Sequence, residues 1–121
     1  MAESPAVNAS PLIFLSRAGL TDLLQLISER IIVPETVAAE IMIRGQVDPT
    51  ARAITETPWL VITETPTVPA LIQSWGLGPG ESSVLAWASA HPGTEAIVDD
   101  LLARRCAEVF NTRFAVLLAL C

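Results

Sequence analysis

Oxygen-bearing side chains recur within or directly after apolar runs of this 121-residue chain. Glu40 lies in PETVAAEI and Glu81 in GLGPGESSVLAWA. The pair Asp99-Asp100 closes the run AIV, and Asn8 stands in AVNASPLIFL. An ionised carboxylate in apolar surroundings is costly unless a partner balances its charge. A hard cation held by several oxygens is such a partner, so these residues predict an acidic metal site.

Each of these residues also has an ordinary structural explanation when it is taken alone. Glu81 falls in the first turn of a predicted helix, where a negative charge is favoured. Glu40 lies at the border of an apolar stripe and would be solvated there, and Asp99-Asp100 would cap the helix that follows. The metal site is favoured because four separate junctions of the chain offer oxygen ligands.

The charge balance limits the possible partners. The net charge is −6, the chain has no lysine, and all seven positive charges are arginines. Such a chain repels nucleic acid, which usually binds a basic surface. An RNA substrate would therefore need bound metal and local arginines, whose planar guanidinium groups fit phosphate. Arg104, Arg105 and Arg113 cluster in the last quarter of the chain.

Composition predicts one globular domain over residues 1–121, with 51% hydrophobic and 17% charged residues. No apolar run approaches the roughly 20 residues that a membrane span needs, so we expect a cytoplasmic protein without membrane contact. His91 is the single histidine and stands in a predicted turn beside Pro92-Gly93, a position that does not suit a Ser/His/Asp arrangement. The segment GLGPGE lacks the ending of a phosphate-binding loop.

Short β-branched segments alternate with helical patterns along the chain, and this order predicts a parallel sheet covered by helices. The expected class is α/β, a three-layer α/β/α sandwich. Strands are predicted at 6–9, 31–33, 59–63 and 95–98, with a short last strand at 109–110. Helices are predicted at 11–17, after Thr21-Asp22, and at 34–43, 50–56, 67–75, 81–90, 100–108 and in the tail FAVLLALC. Ligands of such sheets gather where the strands end, and Asn8 and Asp99 lie at strand ends.

Four blocks carry a resemblance to a known family. They are NASPLIFLSRAGLTDLLQLI, IIVPETVAAEI, GLGPGESSVLAWA and AIVDDLLARRCAEV. Their order and spacing resemble the PIN-like domain family, in the branch with an NASPLI opening and a DDxxAR segment that includes VapC-like toxins. The resemblance extends from residue 6 to about residue 119. It implies a parallel sheet between helices, metal-dependent ribonuclease activity and, for many members, a toxin role in a toxin–antitoxin pair.

The resemblance also implies roles for individual residues. It assigns metal binding and catalysis to Asn8, Glu40, Glu81 and the Asp99-Asp100 pair, without deciding which aspartate is the ligand. It assigns substrate contacts to three further residues, Ser10, Arg104 and Thr112. Oxygen ligands of this kind select Mg²⁺ or Mn²⁺. Asn8 stands where most of the family has aspartate, which predicts weaker cation binding because an amide adds no charge.

Two function classes follow. The first is a metal-dependent endoribonuclease, a hydrolase that one or two ions assist by activating water and neutralising the leaving oxygen. Its expected partners are an RNA substrate, an antitoxin protein and a second copy of the chain in a homodimer. The alternative is a catalytically weak or silent PIN-like protein that acts as a binding or assembly module. In that case the apolar tail and three tryptophans would serve packing and dimerisation. The tryptophans are Trp59, Trp75 and Trp87.

Overall fold

The structure is a computed structural model that describes residues 4–98 and the backbone of residues 113–116. Strands and helices alternate along the chain. The strands are β1 (Ala6–Val7), β2 (Ile31–Pro34), β3 (Leu60–Thr63), β4 (Glu95–Val98) and β5 (Arg113–Val116). The helices are α1 (Ala9–Arg17), a 3-10 helix (Thr21–Leu26), α2 (Glu35–Met42), α3 (Pro49–Glu56), α4 (Ala70–Gln73) and α5 (Pro79–Ala90).

The five strands form one parallel sheet in the order β3-β2-β1-β4-β5. β1 is the central strand although it has only two residues, and Ala6 pairs with both Ile32 and Ala96. Both residues of β1 are fully buried. The carboxyl ends of all five strands therefore lie at the same edge of the sheet. Ligands of parallel sheets bind at this edge.

Helices pack around this sheet, and the predicted α/β/α sandwich is confirmed. The hydrophobic core joins the strands to α1, α2, α3, α4 and α5. Its largest fully buried side chains are Leu12, Leu24, Ile31, Ile41, Ile72, Leu85 and Ile97. β-branched residues are frequent in β2 and β4 because they pack well on a pleated sheet that is covered on both faces.

Two helix ends are as the sequence predicts. Gly19 follows α1 with a φ of 71°, and Gly45 follows α2 with a φ of 95°. Other residues rarely adopt this left-handed conformation, which is common where helices end. α5 begins earlier than predicted, because Pro79 occupies its first turn, where a missing N–H costs nothing.

Three predictions about the elements were wrong. Thr21-Asp22 does not cap an α-helix: a 3-10 helix begins there, its flanking residue is Leu20, and no side chain caps it. The helix predicted at 67–75 is reduced to Ala70–Gln73, because Pro69 restricts the chain just before it. Residues 113–116 form β5 rather than the start of a closing helix, since they pair with β4 along its length. The helix predicted at 100–108 and the strand predicted at 109–110 lie outside the described residues.

In the part of the chain that the structure describes, no helix has both the length and the apolar character that crossing a membrane requires.

Candidate active site

Asn8 lies where β1 ends and α1 begins. Its main-chain N–H donates a hydrogen bond of 3.0 Å to the carbonyl oxygen of Ile97, which ties it to the neighbouring strand β4. The residue is 4% exposed and occupies the N-cap position of α1 with an extended backbone. Asn8 is therefore fixed at the carboxyl edge of the sheet by main-chain pairing on the central strand.

The side chain of Asn8 is buried and has no hydrogen-bond partner among the residues that the structure describes. It makes no capping bond to α1, and no other residue that the structure describes hydrogen-bonds to its amide. Leaving a buried polar group unpaired costs about 1–3 kcal/mol. Buried polar groups are nearly always paired, so this amide indicates a missing partner. A cation that prefers oxygen ligands fits the amide oxygen.

Glu40 and the start of α5 are in direct contact. The Oε1 atom of Glu40 accepts a hydrogen bond of 2.9 Å from the main-chain N–H of Gly80. Glu81 is the next residue and lies in the first turn of α5. α2 packs against α5, and α5 packs against β1. The structure thus brings Glu40 to the helix start that carries Glu81.

Gly80 is needed for this contact. A Cβ atom at this position would lie 2.6 Å from Oε1 of Glu40, closer than real Cβ atoms come to other groups. The other polar group of Gly80 is engaged too, because Ser83 Oγ donates a 2.6 Å hydrogen bond to its carbonyl oxygen. Both main-chain polar groups of Gly80 are therefore hydrogen-bonded in the first turn of α5. The sequence predicted Gly80 only as part of a turn, so this role was missed.

The contact also has a structural function. α5 begins after Gly78, which has no side chain to cap it, and Pro79 has no N–H. The N–H of Gly80 would lack a helical partner, and the carboxylate of Glu40 supplies one. Only Oε1 takes part in this bond. The exposed carboxylate of Glu40 can therefore cap α5 and offer its second oxygen to a cation.

Ser10 is exposed in the first turn of α1, two residues after Asn8. It lines an open groove beside α1 together with Ile13, Phe14, Arg17, Ala18 and Arg44. Sequence reasoning named Ser10 but missed the two arginines of this groove. The signal was present in α1, because Ser10, Phe14 and Arg17 follow a helical spacing that places them on one face.

Four predicted site residues lie outside the described residues: Asp99, Asp100, Arg104 and Thr112. Within the described ranges, no group of three or more histidine, cysteine, aspartate or glutamate residues forms a metal-binding cluster. β4 ends at Val98, beside the strand that leads to Asn8. Of the candidate residues, the structure describes Asn8, Glu40 and Glu81, and it places Glu40 in contact with Gly80, the residue before Glu81.

Comparison with known proteins identifies the family. A family model described as PIN domain matches residues 5–120, which is nearly the whole chain. A comparison with curated proteins found no match. PIN domains have a nuclease-type fold, generally use divalent metals and generally bind RNA. The parallel sheet, the oxygen-bearing residues near its carboxyl edge and this match agree, and the chain belongs to the PIN domain family.

Proposed function

We propose that this protein is a metal-dependent endoribonuclease that hydrolyses RNA phosphodiesters. The observation that carries the proposal is the buried amide of Asn8 at the carboxyl end of the central strand, which has no hydrogen-bond partner among the described residues. A group of this kind is costly to keep in a folded protein unless a ligand engages it. Its position is the one where ligands of parallel sheets bind.

The proposed cation site consists of Asn8, Glu40, Glu81 and one or both of Asp99 and Asp100. All are oxygen ligands, which fits Mg²⁺ or Mn²⁺ and does not fit a softer metal. The 2.9 Å bond from Gly80 to Glu40 supports the set, because it holds Glu40 next to the residue that precedes Glu81. Asn8 adds an oxygen without charge, and the two glutamates supply negative charge.

Each residue then has a chemical role. The bound metal would supply charge for the scissile phosphate and lower the pKa of a water that attacks it. Asn8, at the start of α1, and Glu40, in α2, would each offer an oxygen to the ion. Glu81 contributes negative charge at the start of α5 and can accept a proton from the attacking water. Ser10 is exposed beside Asn8 and can donate a hydrogen bond to a phosphate oxygen.

The test is cleavage of single-stranded RNA by the purified protein with Mn²⁺ or Mg²⁺. Glu81→Gln and the double variant Asp99→Asn/Asp100→Asn should each lower the rate by about 100-fold or more, because the charge that holds the ion is lost. The control is Glu29→Gln, an exposed glutamate that precedes β2 at the opposite edge of the sheet, and its rate should match the unmodified protein. Cleavage that persists in chelator, or that survives both site variants, would contradict the proposal.

The biological role that we propose is the toxin of a toxin–antitoxin pair in the cytoplasm, acting as a homodimer. The family membership and the net charge of −6 support this role, because an acidic protein needs help to approach RNA. A second copy could place two sets of arginines along one RNA path. Expression alone should arrest growth, and light scattering should give the mass of a dimer. Unimpaired growth would contradict the toxin role, and a monomer at high concentration would contradict the dimer.

A second candidate is a weak or silent PIN-like protein that acts as a binding or assembly module. Two observations favour it: Asn8 brings no charge to the site, and Glu40 already has a structural use as the cap of α5. The same assay separates the two candidates. Absence of cleavage of any RNA, together with absence of measurable Mn²⁺ binding, would support the silent protein.

A further inference from the structure

An open groove of about 620 Å³ runs beside α1. Ser10 lines it in the first turn of the helix, and Arg17 lines it in the last turn. Ser10 lies two residues after Asn8 in the chain, so the groove begins within one helical turn of that candidate ligand. From Ser10 to Arg17 the helix rises by roughly 10 Å.

The two faces of α1 differ in their chemistry. Leu12 and Leu15 are buried in the core. Ser10, Phe14 and Arg17 are spaced by four and then three residues, so they form a stripe on one helix face, and all three line the groove. The stripe therefore combines a hydroxyl, an aromatic ring and a guanidinium, in that order away from Asn8.

The groove is locally basic in an acidic protein. Arg17 is exposed, and no carboxylate of the described residues lies within ion-pair distance of it. The Nη1 atom of Arg44 lies 3.9 Å from Oδ1 of Asp48, which is too far for a hydrogen bond, and Arg44 is exposed. The lining residues include no aspartate or glutamate. An anionic ligand would therefore meet two guanidinium groups that are available for hydrogen bonds.

Phe14 adds a flat apolar surface between the hydroxyl and the guanidinium. It is half-buried against the core, so its position is fixed while part of the ring lies in the groove. Unpaired bases stack on such rings, and their phosphates bind arginines. A duplex hides its bases from a ring in a helix-lined groove, so the arrangement fits a single strand.

We propose that this groove binds a single-stranded RNA segment that leaves the acidic edge along α1, with a base on Phe14 and phosphate on Arg17 and Arg44. The identity of the ligand rests on the proposed function, because RNA is the substrate assigned to the adjoining site. An acidic protein segment would suit the arginines, but it carries no base to stack on the flat ring of Phe14.

The experiment measures binding without cleavage. Fluorescence anisotropy of a labelled single-stranded RNA is recorded with the full-length protein in chelator, and a gel verifies that the RNA stays intact. Arg17→Ala should weaken binding about fivefold to tenfold and lower the slope of log affinity against log salt by about 0.7. Phe14→Leu should weaken binding by at least about fivefold while leaving the salt slope unchanged.

The matched control is Arg30→Ala. Arg30 is also exposed, and it directly precedes β2, so it lies at the opposite edge of the sheet. The substitution removes the same charge from the whole protein, and binding should change by less than about twofold. Circular dichroism and thermal unfolding verify that each variant is folded. Because Arg17 is exposed, Arg17→Ala remains informative if Phe14→Leu is unstable.

The outcomes separate this proposal from the proposed function. Equal weakening by Arg17→Ala and Arg30→Ala overturns the groove, even if the protein cleaves RNA. Loss of binding confined to Arg17→Ala and Phe14→Leu supports the groove, even if cleavage is never observed. Arg17-dependent binding of an acidic peptide in place of RNA also overturns the proposal, because the groove would then be a site for protein segments.

Discussion

The starts of α1 and α3 have the same local geometry but treat their polar side chains differently. Asp48 precedes α3, and its Oδ2 atom accepts hydrogen bonds from Thr50 N at 3.0 Å and Ala51 N at 3.2 Å. Asn8 precedes α1 with a similarly extended backbone, but its side chain makes no capping bond. Asparagine and aspartate are both strongly preferred at this position. The difference lies in the use of the side chain rather than in its type.

Asp48 thus has a structural role as a helix cap, whereas the role that we propose for Asn8 is ligand binding. Asp48 is partly exposed, and α3 fully explains its position. Asn8 is buried, and its side chain accepts no hydrogen bond from the N–H groups at the start of α1. Because a buried unpaired amide costs about 1–3 kcal/mol, a ligand that engages Asn8 would recover that cost. The start of α5 is intermediate, since Glu40 caps it and also lies beside Glu81.

The largest effect on stability is expected from Asn8→Asp. The variant places a negative charge at a position that is 4% exposed, which should lower the free energy of unfolding by about 3–5 kcal/mol in chelator. Mn²⁺ should restore most of this loss, because the added carboxylate is a stronger ligand. Urea unfolding with chelator and with Mn²⁺ measures both values.

The control for that variant is Gln25→Glu, which makes the same change from amide to acid on an exposed residue. It should shift stability by less than about 0.5 kcal/mol, with or without Mn²⁺. An equal loss for Asn8→Asp in chelator and in Mn²⁺ would show that no cation reaches this side chain.

A smaller effect is expected from Asp48→Ala. Removal of a helix cap costs about 1 kcal/mol, and the weak contact with Arg44 adds little. The stabilisation by Mn²⁺ should remain as it is in the unmodified protein. Thermal unfolding with and without Mn²⁺ checks both statements. If Asp48→Ala abolishes the stabilisation by Mn²⁺, the start of α3 also contributes to cation binding, which would contradict the distinction between the two helix starts.

The smallest change in stability is expected from Gly80→Ala. The new Cβ atom displaces the flexible end of Glu40, and the lost hydrogen bond is partly offset by the better helix propensity of alanine, so the net loss should be below about 1 kcal/mol. RNA cleavage should fall by about tenfold or more, because a misplaced ligand weakens the site. Urea unfolding and the cleavage assay test these two values.

Gly78→Ala is the matched control for Gly80→Ala. A Cβ atom at Gly78 meets nothing within 4 Å, and its φ of −63° is open to alanine. Cleavage should be unchanged in this variant. If Gly80→Ala also leaves cleavage unchanged, Glu40 serves as the cap of α5 and has no part in the reaction.

Much of the fold could be predicted because β-branched segments such as Ile31-Ile32-Val33 and the helical spacing of α5 are strong local signals. The tail FAVLLALC is different, because its apolar residues show no period that separates helix from strand. Pairing decided the matter: Ala96 lies opposite Phe114, and Val98 lies opposite Val116. This contact between distant segments leaves no trace in the tail itself.

The candidate site was predictable in part for the same reason. Glu40 and Glu81 could be chosen because charged residues interrupt apolar patterns, and family resemblance supported both. Their proximity depends on the packing of α2 against α5 and on the space left by Gly80, which no local pattern contains. Arg44 likewise joins Arg17 only because α2 ends beside α1.

The central place of β1 has a consequence for the order of folding. Ala6 pairs with Ala96, so the middle of the sheet is completed by a segment that is synthesised much later. Contacts between such distant residues form slowly, because a long loop must close first. Asn8 is fixed through Ile97 in the same step. A growing chain therefore cannot assemble this edge while β4 is still missing, and any activity of the edge begins only after nearly the whole described fold has been made.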